Sequence, residues 1–187
     1  PWFKKLTAKS EKVVDNNLQV ISRLQGFVKR NVFQKICMDV VAHTLLPAQV
    51  EDLRQEFNKL NTTKSGEITK KELSKLVKKH PEIDVDFDQL FTEINIEKSG
   101  KIGYHEFLAA TINRKSITEA NMRAAFEIIA NRKEVITKAD IISLIGNDSR
   151  ELNVDDVLKE AGLIEETEID YKKFMTLLLG ADTPMRK

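Results

Sequence analysis

Three observations predict an all-α fold in which a long N-terminal amphipathic helix precedes two pairs of helix–loop–helix units, four units in all, with mostly degenerate loops. Residues 15–46 hold no proline and one glycine, Gly26, while apolar residues recur at spacings of three and four. Two twelve-residue loops, Asn61–Glu72 and Asn95–Glu106, repeat at an offset of 34 residues, so that Gly66 matches Gly100, Ile68 matches Ile102 and Glu72 matches Glu106. Charged residues make up 32% of the chain against only seven Gly and four Pro, a balance that suits solvated helix faces.

Pro1 to Lys5 has nothing local to bury its Trp and Phe against, and reads as the tail of an upstream domain. From Asp15 to Leu46, the set Leu18, Ile21, Leu24, Val28, then Phe33, Ile36, Cys37, Val40 and Val41, describes one long amphipathic helix or two end to end. Lys29, Arg30 and Lys35 lie among these residues, giving either a basic amphipathic target helix for a hydrophobic groove or a helix packed on its own domain with solvated charges. Leu46-Pro47 restarts the pattern with proline in a helix first turn, and the new helix runs to Leu60 with Phe57 inward. The first loop follows, and Leu73, Leu76 and Val77 lead out of it. Lys79-His80-Pro81 ends that helix, with His80 expected as an exposed loop residue, and Asp84 to Asp88 opens the next.

Phe91 and Phe107 flank the second loop. After a polar connection at 114–118 the pattern returns with heavier damage. Phe126 precedes a stretch from Ala130 to Asp140 that has no glycine, Ile136 takes the place of Ile68, and Ile141, Ile142, Leu144 and Ile145 follow. The fourth copy, Gly162–Lys173, keeps Ile169 and is followed by Phe174.

The loop spacing is that of a calcium-binding helical hairpin, in which oxygens at positions 1, 3, 5 and 7 and a bidentate Glu at 12 surround the ion and a glycine at 6 makes the sharp turn. The candidate ligands are therefore Asn61, Thr63, Ser65, Glu67 through its carbonyl, and Glu72 in the first loop. In the second they are Asn95, Glu97, Ser99, Lys101 through its carbonyl, and Glu106. The pattern favours Asp at position 1 and Asp or Asn at 3 and 5, whereas these loops place amides, hydroxyls and one long Glu there. Only Glu72 in the first and Glu97 with Glu106 in the second bring carboxylates, so calcium binding is expected to be weak or absent and confined to these two loops. The third and fourth loops, the latter with Gly162 first and Lys173 last, are not expected to bind calcium. What survives in every copy is the isoleucine at position 8, Ile68, Ile102, Ile136 and Ile169, which predicts pairing of loops through short strands.

Length leaves room for one domain or two small ones, and 41% apolar residues suffice for buried cores. The formal charge of +1 conceals a basic beginning, eight Lys or Arg against three acids in residues 1–46, and an acidic end, ten against fourteen in 116–187. No apolar run approaches the roughly 20 residues of a membrane span, and no signal segment opens the chain, so the sequence reads as soluble, non-secreted and cytoplasmic. Cys37 alone can form neither an internal disulfide nor a zinc site and reads as a core thiol. His43, His80 and His105 join no nucleophile or metal constellation and no glycine-rich phosphate loop is present, which argues against catalysis within this segment. The basic stretch is too short to suggest nucleic-acid binding.

Taken with the stretches Pro1-Trp2-Phe3, Gly103-Tyr104-His105-Glu106-Phe107-Leu108-Ala109-Ala110 and Ile169-Asp170-Tyr171, these four hairpins behind a basic helix resemble the regulatory region of a calcium-dependent protein kinase, junction plus calmodulin-like EF-hand region. The resemblance implies an upstream Ser/Thr kinase domain of which Pro1-Trp2 is the last trace, and the partners it implies are that kinase domain and the chain's own junction helix. It divides the chain into a remnant and linker (1–14), the junction (15–46), an N-terminal EF-hand lobe (47–115) and a C-terminal one (116–187). In such a family the junction blocks the kinase at low calcium, and Phe27, Phe33 and Val40 are the expected anchors into the lobes while Lys29, Arg30 and Lys35 face acidic surfaces. The competing expectation is a free-standing calmodulin-like adaptor or scaffold that binds a separate target helix.

Overall fold

The structure, a computed structural model, describes residues 16–96, 98–146, 153–166 and 168–179. The expectations for residues 1–14, Pro1-Trp2-Phe3 among them, and for Glu97 fall outside these residues.

The N-terminal segment is two helices, α1 (Asn16–Val28) and α2 (Val32–His43), which settles the choice between one helix and two. Asn31 makes the break. Its backbone is extended, its side-chain oxygen accepts from the Gln34 N–H at 2.8 Å, and Gln34 returns its own carbonyl to the Asn31 N–H at 3.2 Å. This reciprocal cap satisfies two donors that a helix start leaves open, so a new helix begins without a proline or glycine.

The first hairpin pair consists of α3 (Pro47–Leu60), β1 (Glu67–Thr69), α4 (Lys70–Lys78), α5 (Phe87–Ile94), β2 (Lys101–Gly103) and α6 (Tyr104–Thr111). A 3-10 turn at Arg114–Ser116 leads to the second pair: α7 (Glu119–Ile129), β3 (Val135–Thr137), α8 (Lys138–Gly146), α9 (Val154–Glu160), β4 (Glu168–Asp170) and α10 (Tyr171–Leu179). Each pair closes on a two-stranded antiparallel ribbon. Ile68 lies opposite Ile102, and Ile136 opposite Ile169, with all four side chains buried, as the surviving isoleucines predict.

The two glycines at position 6 have φ of +85° (Gly66) and +80° (Gly100), a region that a side chain at Cβ disfavours. In the glycine-free third loop Asn131 (φ +51°) and Arg132 (φ +63°) turn the chain instead, at a cost of about 1 kcal/mol for the arginine.

A continuous core holds these parts together. α1 packs on α5 and α6 of the first pair, whereas α2 packs on α6 and also on α7, α9 and α10 of the second. Phe27 and Phe33 are fully buried and Val40 is partly buried against the same core. Cys37 is buried and reduced, and burial raises its thiol well above the ordinary range, which leaves it inert.

Two expectations are corrected. His80 is 8% exposed, not an open loop residue. The turn after it, closed by the Ile83 N–H on the His80 carbonyl at 3.1 Å, carries the imidazole inward, with Nδ1 3.2 Å from Glu82 Oε1. Lys35 is 6% exposed and forms an ion pair with Glu93 on α5, so its charge is neutralised inside the molecule and is not presented to an outside surface. No described helix is long and apolar enough to cross a membrane.

Candidate calcium loops and the helices they hold

In the first loop the candidate oxygens converge, and they bond to one another. Thr63 Oγ1 stands at the centre, 3.3 Å from Asn61 Oδ1, 3.3 Å from Ser65 Oγ and 3.2 Å from Glu72 Oε1. Asn61 Oδ1 also accepts from the Ser65 N–H at 3.1 Å, and Ser65 Oγ donates to the Glu67 carbonyl at 2.9 Å. Glu72 closes the ring. One carboxylate oxygen accepts from Thr62 Oγ1 (2.8 Å) and the Thr63 N–H (3.0 Å), the other from the Thr69 N–H (2.9 Å) and Thr69 Oγ1 (2.8 Å). Burial, the largest single influence, pushes this carboxyl up, but the bonds from Thr69, Thr63 and Thr62 together outweigh it and hold Glu72 down at about 2. Hydroxyl and amide protons thus surround the carboxylate that an ion would otherwise bind, and the loop keeps its shape by itself.

The second loop repeats half of this scheme. Asn95 Oδ1 accepts from the Ser99 N–H at 3.1 Å and from Ser99 Oγ at 3.2 Å, a hydroxyl that can instead donate to the Lys101 carbonyl at 2.8 Å. Glu106 is buried at the start of α6, with Oε2 accepting from the Gly103 N–H at 2.7 Å. The second loop has no threonines to encircle its glutamate, because Ile96 stands where the first loop has Thr62. Across the ribbon, Lys101 Nζ pairs with Glu67 Oε2 at 2.8 Å, joining the two position-7 side chains and drawing both outward.

Among the described residues no three His, Cys, Asp or Glu side chains gather as a metal cluster. A hard divalent cation would have to rely on amide, hydroxyl and carbonyl oxygens plus the terminal glutamate. Asn95, Ser99, the Lys101 carbonyl and Glu106 are all oxygen donors and fit that chemistry. The Asn61 set offers the same kinds of donor, with both Glu72 oxygens already accepting from Thr62, Thr63 and Thr69.

The second pair places a lysine ammonium beside a loop carboxylate twice. In the third loop Lys133 Nζ lies 2.8 and 2.6 Å from the two oxygens of Asp140, which also accepts from the Thr137 N–H and hydroxyl. Burial raises the Asp140 carboxyl, but Lys133 and Thr137 bring it below its ordinary value. In the fourth the polarity is reversed: Lys173, at the position of the bidentate Glu, pairs with Glu166. Replacing Lys133 with Met is expected to lower stability by about 1 kcal/mol, the upper end for a half-exposed pair, and to raise the Asp140 titration. Thermal unfolding and an NMR titration of Asp140 measure the two effects.

Several residues that connect the pairs were not singled out in the sequence. Asn121 caps α7 by accepting from the Thr118 N–H (3.0 Å) and hydroxyl (2.7 Å), while its amide donates to the Thr44 carbonyl (2.8 Å) beyond α2. Gln49 donates to Asn121 Oδ1 (2.7 Å) and to the Ser116 carbonyl (2.9 Å). The spacing Thr118-x-x-Asn121 is that of a capping box and could have marked the helix start, but not the partners across the interface. At the far end of α2, Gln34 donates to the Leu177 carbonyl of α10 at 2.6 Å. His43 of α2 and His105 of α6 stack, with ring centroids 3.9 Å apart.

Residues 50–112 match the EF-hand domain pair family. The chain is 27% identical over 95% of its length to "Calcium-dependent protein kinase 3" of Plasmodium berghei, covering 34% of that protein. It is 29% identical over its whole length to "Calcium-dependent protein kinase 19" of rice, Oryza sativa subsp. japonica, covering 36%. To "Calcium-dependent protein kinase 22" of Arabidopsis thaliana it is 27% identical over 95%, again covering 36%. The chain spans about a third of the length of these curated relatives. With the ribbon-closed hairpins and the loop spacing described above, residues 50–112 form an EF-hand pair, and the chain over its length is similar to a part of calcium-dependent protein kinases.

Proposed function

We propose that this chain is the calcium-responsive regulatory region of a cytoplasmic Ser/Thr protein kinase, with residues 15–46 as a junction that controls an upstream catalytic domain and 47–115 and 116–187 as the two lobes that hold it. The observation that carries this reading is the position of α2, whose apolar face is shared between α6 of the first pair and α7, α9 and α10 of the second. A helix held by both lobes at once is released or re-seated when either lobe changes shape. The adaptor alternative is less favoured, because the surfaces a separate target helix would need are already covered by α1 and α2.

Calcium in this reading is bound weakly, and by the first pair alone. Asn95, Glu97, Ser99, the Lys101 carbonyl and Glu106 are the better ligand set, and Asn61, Thr63, Ser65, the Glu67 carbonyl and Glu72 the poorer. When bound, calcium would supply a divalent centre for the oxygens of these loops. Glu106 sits in the first turn of α6, and α6 packs on both α1 and α2, so where its carboxylate is held bears directly on the helices of the junction.

The test is a calcium titration of kinase activity in the longer polypeptide that carries this region, beside a titration of this chain followed by hydrodynamic radius. Activity is expected to respond to calcium, with Glu106→Gln moving the midpoint by roughly tenfold or more, since about 1.4 kcal/mol is a factor of ten. A titration unchanged by Glu106→Gln would remove the second loop from the site. No response of either readout at millimolar calcium would reduce the region to a static scaffold.

A further inference from the structure

The C-terminal ends of α1 and α6 and the 3-10 turn at Arg114–Ser116 meet around a cleft of about 630 Å³. Its floor is apolar, with Phe27, Ala109, Ala110 and Ile112, and five cations surround it: Arg23, Lys29, Arg30, Arg114 and Lys115. Among the described residues no Asp or Glu lines it. Part of this charge has a structural explanation. Arg23 donates to the Thr111 carbonyl at 3.1 Å and to Gln19, and Arg114 donates to the Leu179 and Leu178 carbonyls at 2.5 and 3.3 Å, so both cap helix ends where a positive charge is favoured.

Arg30 has no such explanation. Its Nη1 is buried and has no hydrogen-bond partner among the described residues. Burial, and then the like charge of Arg114, lower its pKa to about 10, so two guanidiniums lie near one another with no Asp or Glu lining the cleft among the described residues. A buried guanidinium nitrogen without an acceptor costs free energy unless something brings one.

We propose that this cleft is a binding site for a phosphate-type oxyanion, held between Arg30 and Arg114 with Lys29 and Lys115 on the rim. A carboxylate would offset one charge, whereas a phosphate monoester carries about −1.5 to −2 at pH 7 and offers three acceptor oxygens to the guanidinium forks. The apolar floor suits the organic group of a phosphate ester. This site is independent of the calcium loops, and its failure would leave the proposed function untouched.

The experiment is NMR or calorimetric titration of this chain with inorganic phosphate and, separately, with phenyl phosphate. Both are expected to bind saturably, with shifts centred on Arg30, Ala110 and Arg114, and phenyl phosphate the more tightly. Equal affinities would assign the site to free phosphate. Arg30→Gln is expected to weaken binding roughly tenfold or more, the scale of a lost charge-assisted contact, while Arg132→Gln in the third loop leaves it unchanged. Because Arg30 is partly buried, Lys29→Gln with Lys115→Gln, both at exposed positions, serves as the second variant and should weaken binding and flatten its salt dependence. Absence of saturation at millimolar ligand, or equal binding by the wild type and either variant, would overturn the proposal.

Discussion

Phe33→Ala is expected to destabilise the chain by about 3–5 kcal/mol, the range for deleting a buried aromatic ring from a packed core. Phe33 is 1% exposed and lies in the first turn of α2, the helix that packs on both hairpin pairs. On either side of it the helix is tied to the second pair, through the Val32 N–H on Glu160 at 3.4 Å and Gln34 on the Leu177 carbonyl at 2.6 Å. The cavity therefore opens where α2 meets the second pair, and the loss should include cooperativity as well as stability. The wild type, with one continuous core, should unfold in urea in a single transition. Phe33→Ala should unfold in two, the second pair first. Leu46→Ala, at a position 64% exposed, is the control and should change stability by less than about 0.5 kcal/mol. A single transition shifted by less than about 1 kcal/mol in Phe33→Ala would mean that the second pair does not depend on α2.

Glu72→Ala should cost about 3 kcal/mol without any metal being involved, because it leaves the N–H groups of Thr63 and Thr69 and the hydroxyls of Thr62 and Thr69 without their acceptor. The same carboxylate predicts an acid limit. Its pKa is lowered by folding from 4.5 to about 2, so its contribution is fully present above the unfolded value of 4.5 and is lost as pH falls toward about 2. Urea unfolding across that window should show wild-type stability falling on acidification and the loss shrinking in Glu72→Ala. If a calcium chelator destabilised the wild type as much as the substitution does, the loop would owe its shape to an ion and not to its hydroxyls.

Much of this was open to reading in the chain itself. Position-8 isoleucines at offsets of 34, 34 and 33 predicted both ribbons and their register, since a residue that must face its counterpart across a two-stranded pair tolerates little besides a β-branched apolar side chain. Gly66 and Gly100 marked the loop turns because their backbone angles exclude most other residues. That the first loop offers a single carboxylate ligand, Glu72, was equally plain. What could not be read was that Thr62 and Thr63, either of which might have pointed to solvent, turn inward onto Glu72. Nor could sequence spacing foresee that Lys133 and Lys173 would each place an ammonium beside a loop carboxylate, because those pairings depend on how each loop folds back.

The sequence by itself determined the four hairpins, their pairing and the small number of carboxylates among their candidate ligands, because these follow from local geometry: helical periodicity, a glycine-permitting turn and a count of carboxylates within twelve residues. Only the tertiary structure decided that the N-terminal segment breaks at Asn31, that Lys35 pairs with Glu93, that His80 is buried, and that Arg30 and Arg114 share a cleft that no Asp or Glu lines among the described residues. Each of these depends on contacts between residues tens of positions apart, and a charge or an amide on a helix face carries no mark of which distant element will cover it.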